Sequence, residues 1–174
     1  MTPVEEYEQY EILHRDFSKA YAQVYKHVMD FYPQPQKFIQ EATPEIDTYV
    51  EKLSATANKQ DEEGSFQALF YFAKNFKAFA AEANDVFEEY KGLQGESGSY
   101  IKSVFRLKEK NPGNYSGAAE FTKLVPVLNK LIGGFRRIEQ KTEENAKAFR
   151  QLQNEWRRLK ANIGPEKKGT AWPL

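Results

Sequence analysis

One Glu-x-x-His element is the pattern in this 174-residue chain whose residue types and spacing could bind a metal, since the two histidines, His14 and His27, lie 13 residues apart, which is not a ligand spacing. Glu11 and His14 lie one helical turn apart, as in the helices of di-iron bundles, but such a centre needs the element on two helices plus two further glutamates. The sequence contains it once. His14 also lies on an apolar stripe between Tyr10 and Phe17, which predicts a hydrogen-bonded core histidine rather than a metal ligand.

Other patterns associated with catalysis are missing from the sequence. There is no cysteine, which excludes zinc-thiolate sites, disulfides and thiol catalysis. There is no glycine-rich nucleotide loop, no Walker loop and no Gly-x-Ser-x-Gly element. Carboxylate pairs are frequent in the first half, but no neighbouring pattern would raise their pKa values. We therefore predict no enzymatic activity, no catalytic residue, no cofactor and no metal.

Basic side chains of the second half form the candidate partner-binding set. Arginines recur on the outer face of a long helical pattern at residues 135–163, interrupted by glutamates, and two further cations lie one turn apart in an earlier segment. An exposed tryptophan near the C-terminal end completes the set. One interpretation is a solvated face with glutamate–arginine pairs; the other is a docking surface for an anionic partner. The candidate residues are Lys102, Arg106, Arg136, Arg137, Arg150, Arg157, Arg158 and Trp172.

The formal net charge of zero conceals an asymmetry between the two halves of the chain. Residues 1–99 carry 9 Lys and Arg against 18 Asp and Glu, a net charge of −9, whereas residues 100–174 carry 16 against 7, a net charge of +9. One explanation is that acidic helices pack beside basic helices within one bundle. The alternative is that the basic half meets an anionic partner or the acidic half of a second copy.

Composition favours a globular intracellular protein. Hydrophobic residues make up 40% of the chain and aromatic residues 14%, enough for a core in one domain. The N-terminal sequence has neither a basic region nor an apolar region typical of a signal peptide. The sequence contains no run of eighteen apolar residues, so it predicts no membrane span. We expect a cytoplasmic protein.

Hydrophobic periodicity predicts helices throughout and no sheet. Thr2, Pro3 and Glu5 form a capping box at the first helix, and Pro33 ends it. We predict helices at about residues 3–31, 43–57, 65–92, 99–110, 117–132 and 135–163. Glycines predict a loop at GLQGESGSY (92–100) and a break at Gly133–Gly134. The expected fold is an all-α, single-domain antiparallel bundle of five or six helices, with long first, third and last helices, over residues 1–163, followed by a flexible tail at 164–174.

The last helix has a heptad pattern with unusual occupants. Its a and d positions include two Phe and a Trp, which suit the wide interior of a bundle better than a two-stranded coil. We therefore favour packing within one chain, with self-pairing as the alternative. Two polar residues, Thr142 and Asn145, occupy apolar positions and indicate either a hydrated layer or a point where the neighbouring helix ends.

Two segments, VYKHVMDFYPQPQKFI and KNPGNYS, resemble stretches of the inverse BAR (IMD) membrane-curving domains. That family consists of dimers of long helices with basic tips, so the resemblance implies binding to an acidic membrane surface. It covers about 25 residues of the chain in two pieces.

Three functional hypotheses follow. The first is a non-enzymatic helical bundle that acts through protein–protein interaction or scaffolding, with self-association as one form of it. The alternative is a BAR-like or other module for an anionic surface, either an acidic membrane or a nucleic acid, that uses the basic half. Zero net charge disfavours nucleic acid. The third is a carrier of an apolar ligand among the phenylalanines of the third helix.

Overall fold

The computed structural model describes residues 1–55, 60–113 and 117–163, and all their regular structure is helical. The helices are α1 (Pro3–Phe31), α2 (Pro33–Ala55), α3 (Gln60–Lys110), α4 (Ala118–Thr122) and α5 (Val125–Ile163). Tyr32 alone separates α1 from α2, and a two-residue turn separates α4 from α5. The described chain therefore forms three long helical arms: α1 with α2, α3, and α4 with α5. The all-α class is confirmed, whereas the prediction of five or six bundle helices is wrong.

The largest difference from the predicted elements lies in α3. Residues 92–100, predicted as a loop between two helices, are helical, and α3 continues without a break for 51 residues. Buried side chains follow one another at alternating intervals of three and four residues through this segment, as in a heptad pattern. Packing therefore outweighs the low helix propensity of the three glycines, which favoured the loop. The buried residues at these intervals are Leu69, Phe72, Phe76, Phe79, Ala83, Val86, Tyr90, Leu93, Ser97, Tyr100 and Val104.

The break predicted at Gly133–Gly134 is also wrong, because α5 is helical from Val125 to Ile163. Pro126 lies in the first turn of α5, where a proline loses no helical hydrogen bond. The predicted helix at 117–132 is thus replaced by the five residues of α4 and the start of α5.

The predictions for both ends of α1 are confirmed, whereas the predicted start of α2 is wrong. The capping box is confirmed: the Glu5 amide donates to Thr2 Oγ1 over 3.1 Å, and the Thr2 amide donates to Glu5 Oε1 over 3.4 Å. α1 ends at Phe31 as predicted, but α2 begins at once with Pro33 in its first position. The predicted start at residue 43 is wrong, and Pro44 lies inside α2.

The chain divides into two compact units, and all three arms contribute to each. The first, unit 1, comprises the described residues within 1–30 and 85–142, and the second, unit 2, comprises the described residues within 31–84 and 143–174. In unit 1, Phe17 and Tyr21 of α1 contact the ring of Phe135 on α5, with centroids 6.2 and 5.5 Å apart, and Tyr90 of α3 contacts the same ring at 6.5 Å. One aromatic ring of α5 is therefore packed against both other arms.

Unit 2 repeats this arrangement with other rings. Phe149 of α5 contacts Phe38 of α2 at 5.5 Å and stacks on Phe79 of α3 at 6.0 Å. One heptad further along, Trp156 contacts Tyr49 and stacks on Phe72. The aromatic a positions of α5 therefore lie inside the chain, which confirms intramolecular packing of this helix. The predicted tail at 164–174 lies outside the described residues.

Within the described ranges, no helix is both long enough and apolar enough to cross a membrane.

Candidate interaction surface

His14 lies in a cluster of hydrogen-bonded rings in unit 1, as its position on the apolar stripe predicted. Its Nδ1 lies 2.6 Å from the Tyr100 hydroxyl, which in turn lies 3.1 Å from the hydroxyl of Tyr10. Desolvation lowers the pKa of His14, with a smaller contribution from the charge of Lys108. Desolvation also raises the pKa values of Tyr10 and Tyr100. The cluster is therefore neutral around pH 7.

Across residues 1–55, 60–113 and 117–163, the structure contains no group of three His, Asp or Glu side chains that could hold a metal ion. Glu11 is exposed on α1, and the ring of His14 is turned toward Tyr100. The geometry of His14 is that of a structural hydrogen-bonding residue.

Asn145 and Thr142 are both buried, at 4% exposure. The Asn145 amide donates to the hydroxyl of Tyr32 over 2.9 Å. Because Tyr32 is the residue between α1 and α2, Asn145 marks the point where the neighbouring helix ends. This is one of the two interpretations that the sequence left open.

The structure distributes the predicted partner-binding residues over both units. Unit 1 contains Lys102 and Arg106 on α3 together with Arg136 and Arg137 on α5, and all four are exposed. Arg137 Nε pairs with Glu89 Oε1 at 3.1 Å. Since Glu89 precedes Lys102 on α3 by thirteen residues, the two basic groups lie about 20 Å apart along the helix. The structure therefore does not join them into one patch.

Unit 2 contains the other described members of that set. Arg150, Arg157 and Arg158 are exposed on α5. Trp172, the remaining candidate, lies outside the described residues.

Ion pairs connect the basic half of the chain to the acidic half. Besides Arg137 with Glu89, Lys130 pairs with Glu96 at 3.7 Å in unit 1, and Lys160 pairs with Glu45 at 3.0 Å in unit 2. Each cation comes from α5 and each carboxylate from α2 or α3. This agrees with the first explanation of the charge asymmetry, in which acidic helices pack beside basic ones.

An apolar groove in unit 2 bears on the hypothesis of a ligand carrier. It lies between α2 and α3, lined by residues that include Ile39, Ile46, Ala73 and Phe76, and has a volume of about 150 Å³. Ligand pockets are commonly 300–1,000 Å³. Phe72 and Phe79 are themselves packed against aromatic rings of α5. The groove is small for a carrier.

The outer side of α3 in unit 1 has an unusual surface that the sequence did not predict. Gly92, Gly95 and Gly98 follow one another at intervals of three residues, and all are exposed. A Cβ atom added to any of them would contact nothing within 4 Å, apart from the helix's own backbone and adjoining residues. Each glycine in a helix interior costs about 1 kcal/mol relative to alanine. Packing within the unit does not explain that cost.

Charged and aromatic side chains flank these glycines on the same exposed side of α3. Asp85 and Glu88 precede them, and Lys102, Phe105 and Arg106 follow them. Phe105 is 64% exposed. We name the exposed surface of α3 from Asp85 to Arg106 the glycine face. It was missed because its glycines were interpreted as a loop; the uninterrupted spacing of the buried residues across them was the signal that could have revealed it.

No family model matches this chain, and comparisons with curated proteins and with solved structures find no match.

Proposed function

We propose that this chain is a non-enzymatic helical module that binds another protein chain through the glycine face of α3. The observation that carries the proposal is the row of exposed glycines in a continuous, well-packed helix. A helix surface without side chains allows a second helix to approach closely, because the distance between packed helices depends on the side chains at their contact.

The flanking residues support the same proposal. An exposed phenylalanine and charges of both signs border the glycines, and they are suited to the edge of a protein–protein contact, where aromatic residues supply contact area. A backbone-lined strip with a polar border on both ends is better suited to another helix than to a small molecule.

Site-specific photocrosslinking tests this proposal. A benzoylphenylalanine in place of Ser99, which is exposed on the glycine face, is expected to give a covalent adduct with a protein when cells are irradiated. The matched control places the same residue at the exposed Gln9 of α1. Adducts at both positions, or at neither, would contradict the proposal. Mass spectrometry of the adduct identifies whether the captured chain is a different protein or another copy.

Binding to an anionic membrane surface is the second candidate, and the exposed ring of Phe105 beside Lys102 and Arg106 favours it. Each Lys or Arg near an acidic bilayer contributes about 1 kcal/mol. Cosedimentation with phosphatidylserine vesicles at low salt is then expected, and Phe105→Ala should weaken it. Ile12→Ala is the control, because Ile12 is an exposed apolar side chain between Glu8 and Asp16. An equal effect of both variants would contradict this candidate.

A further inference from the structure

We infer that the chain that binds the glycine face is a second copy of this chain, packed antiparallel to the first about a twofold axis at Gly95. This inference rests on the proposed function and names its partner. Its basis is the order of charges along α3, which is complementary to itself when one copy is turned end to end.

Two pairs of positions at equal distances from Gly95 hold complementary residues. Three residues away on either side are Gly92 and Gly98, and seven residues away are Glu88 and Lys102. In a twofold interface, each contact between residues i and j is repeated between j and i. Antiparallel packing at Gly95 therefore places the glycines of the two copies against each other and Glu88 of each copy opposite Lys102 of the other.

Helical geometry puts these residues on one side of α3. Seven residues make about two turns, so Glu88 and Lys102 share the side of Gly95 and lie about 10 Å from it in opposite directions. The buried residues Leu93 and Ser97 lie on the opposite side, toward the core of unit 1. The inferred contact thus leaves that core intact.

Further from the axis the charges match only with an offset of one residue, because the positions at equal distance are Asp85 with Phe105 and Asn84 with Arg106. Asp85 lies ten residues before Gly95, and Arg106 eleven residues after it. Both are exposed, so the outer ends of the face also bring a carboxylate of one copy toward a guanidinium of the other. A parallel arrangement would instead oppose Glu88 to Glu88 and Lys102 to Lys102, and like charges repel. The charge order therefore favours the antiparallel arrangement.

An ion pair on the same helix is compatible with this arrangement. Lys91 Nζ lies 2.9 Å from Glu88 Oε1, and both side chains are about half exposed. The twofold operation places Lys91 opposite the neutral Ser99 of the second copy. Glu88 is then shared between Lys91 of its own copy and Lys102 of the second copy, and repulsion between these two cations reduces the gain from the Glu88–Lys102 pair.

The size of the face implies a weak and reversible dimer. From Asp85 to Arg106 the helix is about 30 Å long and about 10 Å wide, so that each copy buries on the order of 300 Å². Stable interfaces bury about 800 Å² per partner. Exposed charge pairs are also screened by salt. We expect association to increase with protein concentration and to weaken as ionic strength rises.

Analytical ultracentrifugation of the full chain tests the inference. Weak complexes have dissociation constants of roughly 10 µM to 1 mM. As the protein concentration is raised through this range, the weight-average mass is expected to rise from 20.2 kDa toward twice that value. Glu88→Lys and Lys102→Glu should each weaken self-association by about tenfold, because each replaces two attractions by two repulsions in the symmetric dimer. Glu8→Lys makes the same charge change at an exposed position of α1 and is the control.

Two combinations of these variants restore the inferred charge pairing, and the second of them separates the antiparallel arrangement from a parallel one. An equimolar mixture of Glu88→Lys with Lys102→Glu should associate, since each lysine then faces a glutamate. The double variant Glu88→Lys/Lys102→Glu should associate with itself, which a parallel arrangement would not allow. Gly95→Leu should abolish association while the circular dichroism spectrum and thermal stability are retained, because the space around Gly95 is open.

Each outcome decides the inference. A wild-type mass of 20.2 kDa up to 1 mM, or association that these variants leave unchanged, would overturn it. Association in the mixture and in the double variant, but not in either single variant, would support it. If the wild type is monomeric while a crosslink at position 99 captures a different protein, the self-association fails and the proposed function stands. If both fail, the proposed function falls as well.

Discussion

The side-chain amide of Asn145 donates a hydrogen bond of 2.9 Å to the hydroxyl oxygen of Tyr32, the residue at which α1 gives way to α2. Both side chains are buried, at 4% and 2% exposure. A polar contact in an aromatic core thus joins the junction of the first arm to the middle of α5. The partners are separated by 113 residues in sequence.

Removing either partner of this contact should destabilise the protein. We expect Tyr32→Phe to lower the free energy of unfolding by about 1 kcal/mol, since the buried amide of Asn145 loses this acceptor. Asn145→Leu removes the donor, and the double variant Tyr32→Phe/Asn145→Leu should cost less than the two single variants together. Urea unfolding of the four proteins measures this coupling. Strict additivity would show that the contact contributes nothing.

Two buried tyrosines of α3 should respond oppositely to loss of their hydroxyls. Tyr90 is fully buried, its hydroxyl has no hydrogen-bond partner among the described residues, and burial raises its pKa to about 12. We expect Tyr90→Phe to stabilise the fold by roughly 1 kcal/mol, because an unsatisfied buried hydroxyl costs about 1–3 kcal/mol. Tyr100→Phe is the matched comparison.

The Tyr100 hydroxyl has hydrogen-bond partners in both Tyr10 and His14, so Tyr100→Phe, which removes that hydroxyl, should destabilise the fold by about 1–3 kcal/mol. The midpoints of denaturant unfolding at constant slope measure both effects. Destabilisation by Tyr90→Phe would show that the Tyr90 hydroxyl is stabilising.

The half-buried position of His14 predicts that acid destabilises the fold. Its pKa is lowered in the folded state, mainly by desolvation, so below pH 6.5 the unfolded chain binds a proton more readily than the folded one. Stability contributed by neutral His14 is therefore present above pH 6.5 and is lost as the pH falls toward the lowered folded pKa. Unfolding free energies measured from pH 7.5 to about pH 5 should show this loss.

His14→Gln should flatten that pH dependence, because glutamine can still bond to Tyr100 but does not titrate. His27→Gln is the control, since His27 is exposed and lies 3.6 Å from Glu139 rather than among buried rings. If the slope persists in His14→Gln and disappears in His27→Gln, the assignment to His14 is incorrect.

Adjacent glycines of α5 should behave differently when replaced by alanine. A Cβ on Gly133 would contact nothing within 4 Å, whereas one on Gly134 would lie 2.8 Å from Leu93 Cδ2. Gly133→Ala should stabilise the fold by about 0.4–1 kcal/mol through lower entropy of the unfolded chain. Gly134→Ala gains the same entropy but displaces a buried leucine, so it should be less stable than Gly133→Ala. Thermal unfolding compares them, and equal melting temperatures would contradict the close contact.

Local signals predicted several features correctly. The capping box of Thr2 and Glu5, the end of α1 before Pro33 and the hydrogen-bonded state of His14 depend on neighbours within one turn or on one apolar stripe. The continuity of α3 could not be obtained from glycine content, because the packing of Leu93, with neighbouring core residues, decides it.

The arrangement of the candidate site also depended on tertiary structure. Lys102 and Arg137 are both exposed cations, but Arg137 lies beside Glu89, and the alignment of α3 with α5 determines that neighbour. Side-chain packing between helices sets this alignment, and periodicity in a single helix does not contain it. The role of the predicted basic residues in partner binding stays a prediction.

The exposed glycines of α3 have a consequence for the local stability of that helix. Between Tyr90 and Tyr100 three of nine positions lack a side chain, so this stretch has little helical preference of its own and depends on the packing of Leu93 to hold it against the core. Its backbone amides should be the first in the interior of α3 to exchange with solvent deuterium through local opening. The longest helix of the protein thus contains an intrinsically weak segment within the glycine face.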